Sequence, residues 1–207
     1  MITPAQAALK RAVDVVGAAS GLLALSPLLA LIAVAIRLDS PGPALYFSTR
    51  LGLRGREFKL YKFRSMRQGS PSRYHADGSM LVEKQDARVT RVGRVLRIGL
   101  DELPQLWNVL RGEMSIVGPR PDPPYALDLY EGEESLRLQM RPGITGWAQV
   151  KGRTDIPWRD RLALDVEYVK DYSCRRDAWI ALATLVEFAP PLRNRLMGGR
   201  AAQSQPD

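Results

Sequence analysis

The sequence has one cysteine, Cys174, and one histidine, His75. A disulfide framework is thereby excluded, and so is a zinc cluster built from cysteine and histidine. Acidic residues are in deficit: 22 Asp and Glu stand against 30 Lys and Arg, a net charge of +8. No internal repeat is present. A catalyst in this chain must work with carboxylates, arginines, lysines or a bound hard metal ion. What the chain does have is 207 residues that are 45% hydrophobic and 25% charged, which excludes wholesale disorder and supplies one core, or a core plus a membrane contact. Of the 30 basic residues 24 are arginine, whose planar fork matches phosphate, so the expected partner is anionic. Nucleic acid, anionic lipid and a phosphorylated small molecule all satisfy that.

One long apolar run narrows the choice. Residues 15–36, VVGAASGLLALSPLLALIAVAI, carry no charge and lie between Lys10, Arg11 and Asp14 on one side and Arg37 and Asp39 on the other. As a straight helix the run is about 33 Å long, enough for a hydrocarbon core of roughly 30 Å. Two features argue against a simple span. Ser26-Pro27 sits at the midpoint, where proline removes a helix hydrogen bond, and basic residues flank both ends although positive charge prefers the cytoplasmic side. A segment that enters one leaflet, turns at Ser26-Pro27 and returns satisfies both. A kinked transmembrane helix, a signal peptide and a buried helix of a soluble core are the alternatives; the run exceeds the apolar length of usual signal peptides. The carbonyl freed by Pro27 needs a partner in lipid, and the Ser26 hydroxyl is placed to relieve it.

After a turn at Pro41-Gly42-Pro43, residues 44–47 and 57–63 read as a β-hairpin carrying Arg50, Arg54, Arg56, Lys59, Lys62, Arg64 and Arg67 on and around it. Residues 68–87 are polar and turn-rich, a surface loop in which Tyr74 and His75 are expected to be solvated. Arg88, Arg91, Arg94 and Arg97 recur every third residue, as on one face of a helix, although Gly93 weakens that helix. Asp101 reads as the N-cap of a helix that starts near Pro104 and ends at Gly112. Residues 123–140 read as an acidic helix, 141–153 as a glycine-punctuated loop and 160–172 as a helix. The apolar run 178–189 is too short to span and lies in a core or along a membrane surface. Residues 198–207 read as a disordered tail.

Asp101-Glu102 is the most informative pair. Carboxylates at a helix start are favoured by its dipole, so capping alone is one reading. A basic series precedes the pair, however, and Arg120 follows in a Gly118-Pro119-Arg120-Pro121 turn. Carboxylates among arginines suit a phosphate substrate bridged by a divalent cation, and an aspartate so placed can attack phosphorus.

KFRSM (62–66), LDELPQLWNVLRGEMSIVGPRP (100–121), RPGITGWAQVKGR (141–153) and LDVEYV (164–169) stand in an order and spacing that resembles the bacterial sugar transferases, the small monotopic polyprenyl-phosphate phosphoglycosyl transferases. The resemblance covers nearly the whole chain. It implies a sugar 1-phosphate moved from a UDP-sugar to undecaprenyl phosphate with Mg2+ and release of UMP, at the cytoplasmic face of the bacterial inner membrane. That reaction would be the first membrane step of glycoconjugate or exopolysaccharide synthesis. It implies a re-entrant first helix broken at Ser26-Pro27, Asp101 as nucleophile and Glu102 as its partner, both also expected at the metal. Lys62, Arg64 and Arg120 are then phosphate contacts, Arg141 another substrate-binding residue, and Asp177, twelve residues after Asp165, a further acidic site position. Three residues, Ile98 to Leu100, separate Arg97 from Asp101 where the family usually has four.

The fold expected is α+β, mainly helical, in a single domain: a re-entrant membrane helix with its flanks in 1–39, a catalytic part with a small β-hairpin in 40–197, and the tail. The expected partners are a UDP-sugar, undecaprenyl phosphate and the lipid bilayer, not nucleic acid, and a homodimer is left open. Two competitors stand beside this reading. A nonenzymatic basic protein gives no reason for Asp101-Glu102 inside the basic field, and an ordinary spanning glycosyltransferase would release UDP rather than UMP.

Overall fold

A computed structural model of the chain describes residues 2–70, 86–152 and 156–187. The expectations for Tyr74, His75 and the tail lie outside the described residues. The architecture is α+β and mainly helical, with a long apolar N-terminal helix, α1 (Pro4–Asp39). Thr3 opens it with a reciprocal capping box to Gln6, and Pro4 occupies the first turn, where its missing N–H costs nothing. The helix runs on through Pro27. The carbonyl that Pro27 leaves without its N–H partner is that of Leu23, and the Ser26 hydroxyl donates to it at 2.8 Å, the compensation expected of the Ser-Pro pair.

Both ends of α1 are fastened to the same folded body. Near its start, Lys10 donates to the Asp177 carboxylate at 2.6 Å and to the Val117 carbonyl at 2.8 Å. Arg11 reaches the Val109 carbonyl at 2.6 Å, and the buried Asp14 accepts from Ser115 Oγ and the Ile116 N–H at 3.0 and 2.8 Å. Near its end, Ile32 and Ile36 pack with Phe63 and Leu96, and Asp39 accepts from the Val92 N–H at 2.9 Å. Between these anchors Leu23 is 79% and Leu31 68% exposed. One side of the helix is therefore joined to the protein and the other presents bare aliphatic surface.

The hairpin forms as expected, from β1 (Leu45–Leu51) and β2 (Glu57–Phe63), antiparallel with Leu45 opposite Phe63 and Tyr46 opposite Lys62. Phe58 and Leu60 face inward against Ala18, Val109 and Met114. The arginine triplet series does not make one helical face: α2 covers only Arg91–Leu96, and Arg88 lies before it, paired with Asp86 at 2.5 Å. Gly93 is there because α2 crosses the chain closely, and a Cβ on it would meet the Ser65 carbonyl at 2.0 Å. Helix α3 (Gln105–Arg111) lies along α1 and is closed by Gly112 in the left-handed conformation.

Two short strands, β3 (Ser115–Val117) and β4 (Gly143–Thr145), form a parallel pair that the glycine-rich loop reading of 141–153 did not contain. The same stretch also holds α4 (Trp147–Gly152). The acidic helix expected over 123–140 is instead two 3-10 segments, Pro124–Leu129 and Glu134–Gln139, separated by Gly132 at φ 52° and opened by Pro123-Pro124, which cannot continue an α-helical ladder. Helices α5 (Trp158–Lys170) and α6 (Cys174–Glu187) complete the body. Tyr168, Val169, Tyr172 and Ile180 form a core beneath Val117 and Met140. Trp179, Leu182 and Leu185 recur at helical spacing on α6 and are 47%, 59% and 68% exposed.

Candidate active site

Asp101 does not cap a helix. Gly99, at φ 119°, turns the chain in the left-handed region, and Leu100–Glu102 forms a 3-10 turn, so α3 begins only at Gln105 with Pro104 before it. The turn holds both carboxylates side by side beneath the open end of the hairpin. Asn108 fixes that relationship: fully buried on α3, it accepts from the Tyr61 N–H at 3.0 Å and donates to the Lys59 carbonyl at 2.8 Å. Residue 62 is thereby carried over the turn. Lys62 Nζ lies 2.8 Å from Glu102 and 3.6 Å from Asp101. From the other side Arg120, on the turn after β3, donates to Glu102 at 2.8 Å.

Two carboxylates in one turn have been given opposite electrostatics. Burial disfavours ionisation of Glu102, but the Arg120 and Lys62 charges and hydrogen bonds outweigh it and hold the group down to about 2. For Asp101 burial wins: it raises the carboxyl above its ordinary value, Lys62 opposing and the Glu102 charge adding to the rise. Glu102 is thus the anion that gathers the cations. Asp101 is approached by Lys62 at 3.6 Å, and among the described residues no side chain comes closer to its carboxylate.

The other expected site residues divide. Lys62 and Arg120 meet the pair; Arg64, Arg141 and Asp177 are engaged elsewhere. Arg64 is 5% exposed and donates to the carbonyls of Ser40, at 2.8 Å, and Pro41, so its guanidinium closes the C-terminal end of α1 and is not free for phosphate. Arg141 donates to the Gly112 carbonyl at 2.8 Å, behind α3. Asp177 accepts from Lys10 at 2.6 Å and from the Tyr168 hydroxyl at 2.6 Å, tying α6 to α1 and raising the phenol by burial and by its own charge.

Sequence reasoning missed the group that holds Arg120 in place. Arg137, 4% exposed, donates to Asp122 at 2.6 Å, to Asp165 at 2.6 Å, to the Tyr130 hydroxyl at 2.7 Å and to the Arg120 carbonyl. Burial lifts Asp165 to about 6 against the pull of Arg137. The only signal in the sequence was a lone arginine among apolar and acidic residues, which reads equally well as a solvated charge. Asn108 had no signal of its own within the apolar helix that bears it.

Among the described residues no three His, Cys, Asp or Glu side chains are grouped to hold a metal ion. The donor set of Asp101 and Glu102 still fits Mg2+, which binds through one or two carboxylates and completes its shell with substrate phosphate and water.

The bacterial sugar transferase family model matches residues 5–190. The chain is 46% identical over 187 residues to the UDP-glucose:undecaprenyl-phosphate glucose-1-phosphate transferase of Caulobacter vibrioides, covering 85% of this chain and 68% of that protein. It is 45% identical over 188 residues to the undecaprenyl-phosphate glucose phosphotransferase of Komagataeibacter xylinus, covering 85% of this chain but 35% of that one. With the exopolysaccharide production protein PSS of Rhizobium leguminosarum bv. phaseoli it shares 43% identity over 193 residues, 86% of this chain and 94% of the other.

Proposed function

Because the chain belongs to the bacterial sugar transferase family, we propose that it moves a sugar 1-phosphate from a UDP-sugar to undecaprenyl phosphate and releases UMP. The observation that carries the reading is the convergence of Lys62 and Arg120 on Glu102, with Asp101 beside them and only loosely approached by Lys62. In the first step an Asp101 oxygen attacks the phosphorus that bears the sugar; the bond from that phosphorus to the bridging oxygen breaks, and UMP leaves with the oxygen. In the second step an oxygen of the lipid phosphate attacks the same phosphorus, the Asp101–phosphorus bond breaks and the carboxylate is restored. Splitting the transfer keeps the two anionic substrates from meeting directly.

The residues divide the electrostatic work. Lys62 and Arg120 set a positive field where charge builds on the phosphoryl oxygens, and Glu102 holds both in position. Lifted by burial, Asp101 is the more basic carboxylate and hence the better nucleophile, provided the pH keeps it ionised. Asp101 and Glu102 would hold Mg2+, which when bound would neutralise diphosphate charge.

The same proposal places the protein on one face of the bacterial inner membrane, the cytoplasmic one, with α1 entering and leaving the same leaflet. The fastening of both ends of α1 to one body, its bare Leu23 and Leu31, and the exposed Trp179, Leu182 and Leu185 of α6 support that reading. The test is product identity. Purified protein in detergent, given UDP-sugars, Mg2+ and polyprenyl phosphate, should release UMP; release of UDP would replace this reading with direct glycosyl transfer.

A further inference from the structure

Two buried arginines, Arg64 and Arg137, show what a structural guanidinium does. Arg64 is taken up by backbone carbonyls and Arg137 by two carboxylates and a hydroxyl. Arg50 is different. It lies on β1, partly buried, and among the described residues its one side-chain hydrogen bond is from Nε to Ser48 Oγ at 3.3 Å. Among the described residues no carboxylate lies within ion-pair distance of it. A desolvated cation without a counterion is costly, and the cost rises when another cation is beside it.

Another cation is beside it. The Leu51 N–H, next along the strand, donates to the Asp122 carbonyl at 2.8 Å, which brings β1 against the turn that carries Arg120. Burial first and then the Arg120 charge depress the Arg50 guanidinium, and Asp122, which offsets part of this, is already bonded to Arg137. Strand alternation sets Tyr46, Ser48 and Arg50 on one face, and Tyr46 is opposite Lys62, so this face runs from Arg50 to the Asp101-Glu102 turn. Tyr46 and Tyr125, 50% and 39% exposed, flank it.

We propose that Arg50 and Arg120 form a two-guanidinium clamp on a phosphoryl group of the substrate, an inference that rests on the transferase reading above. A phosphoryl group between the two guanidiniums would supply the counter-charge that Arg50 lacks next to a like charge. The phosphoryl oxygens belong either to the diphosphate of the nucleotide sugar or to the lipid phosphate, and the experiment separates these sources.

Arg50→Met and Arg50→Lys are compared with the unaltered protein by melting temperature in detergent without ligand, by calorimetric affinity for UDP, and by calorimetric affinity for a short polyprenyl phosphate. Arg50→Met should melt no lower than the unaltered protein, because it removes an uncompensated charge, and should bind one of the two probes about ten- to a hundredfold more weakly. Loss on UDP assigns the clamp to the donor, and loss on polyprenyl phosphate assigns it to the acceptor. Arg50→Lys covers the case in which Arg50→Met fails to fold: it keeps the charge but not the planar fork, so it should melt normally and bind the same probe several-fold more weakly. Unchanged affinity for both probes in a folded variant overturns the clamp. If the unaltered protein binds neither probe and releases no UMP from any UDP-sugar, the transferase reading itself has failed and the clamp falls with it.

Discussion

Lys62 lies 2.8 Å from the Glu102 carboxylate and 3.6 Å from that of its neighbour Asp101. That asymmetry separates two adjacent carboxylates: Glu102 takes the close contacts of Lys62 and Arg120, chiefly on one oxygen, and Asp101 is approached less closely.

The Arg120 carbonyl is held by Arg137, while its side chain, 44% exposed, reaches Glu102 and supports no part of the core. Arg120→Ala should therefore leave the fold intact and lower turnover by about ten- to a hundredfold, the value of one charge-assisted contact of roughly 1.5 to 3 kcal/mol made in the transition state. Melting temperature and UMP release on the same preparation check it. Full activity in a folded variant would remove Arg120 from the reaction.

Glu102 links activity to acid stability. Its carboxyl is held down to about 2 from an ordinary 4.5, so the folded state binds fewer protons than the unfolded one between those values. The stability it contributes is present above pH 4.5 and lost as the pH falls toward 2. Melting curves from pH 6 down to 2.5 should be steeper for the unaltered protein than for Glu102→Gln, and parallel curves would contradict the pairing with Lys62 and Arg120.

Arg137 is the buried cation between Asp122 and Asp165. Arg137→Met strands two carboxylates in the interior and should cost about 3 to 5 kcal/mol, read as a lower denaturation midpoint. Adding Asp165→Leu should recover part of the loss. No recovery would mean that Asp165 is not held by that pair.

Much of this architecture can be read from residues close together in the chain. The hairpin follows from apolar and aromatic runs separated by Gly52 and Gly55, and α1 from the uncharged run 15–36, whereas the capping box at Thr3 that starts the helix lies outside that run. What could not be read depends on distant partners. Strands β3 and β4 are three residues each and exist only because residues 115 and 143 meet, which leaves no periodicity to detect. Arg64 was expected at phosphate because charge says nothing about which acceptors lie nearby; the Ser40 and Pro41 carbonyls just past the end of α1 take it. Arg50 was one of seven basic residues around the hairpin, and only the strand register sets it on the face leading to the dyad.

The topology of α1 can be tested without activity. Single cysteines at Ala5 and Glu57, both exposed, are introduced into a Cys174→Ser background. Both should escape an impermeant thiol reagent in intact cells and react after lysis if, as proposed, both ends of α1 lie on the cytoplasmic side. Labelling of the Ala5→Cys protein from outside would mean that α1 spans the membrane.

In the proposed mechanism Asp101 carries the sugar phosphate between two half-reactions. Protein is incubated with UDP-sugar labelled in the sugar and in the phosphate attached to it, with Mg2+ and without any polyprenyl phosphate, then quenched and digested. Label is expected on the peptide containing Asp101, with UMP released in equal amount, and neither from Asp101→Asn. UMP that appears only once polyprenyl phosphate is added, with no label on the protein, would contradict it and leave Asp101 and Glu102 as a metal site for direct transfer.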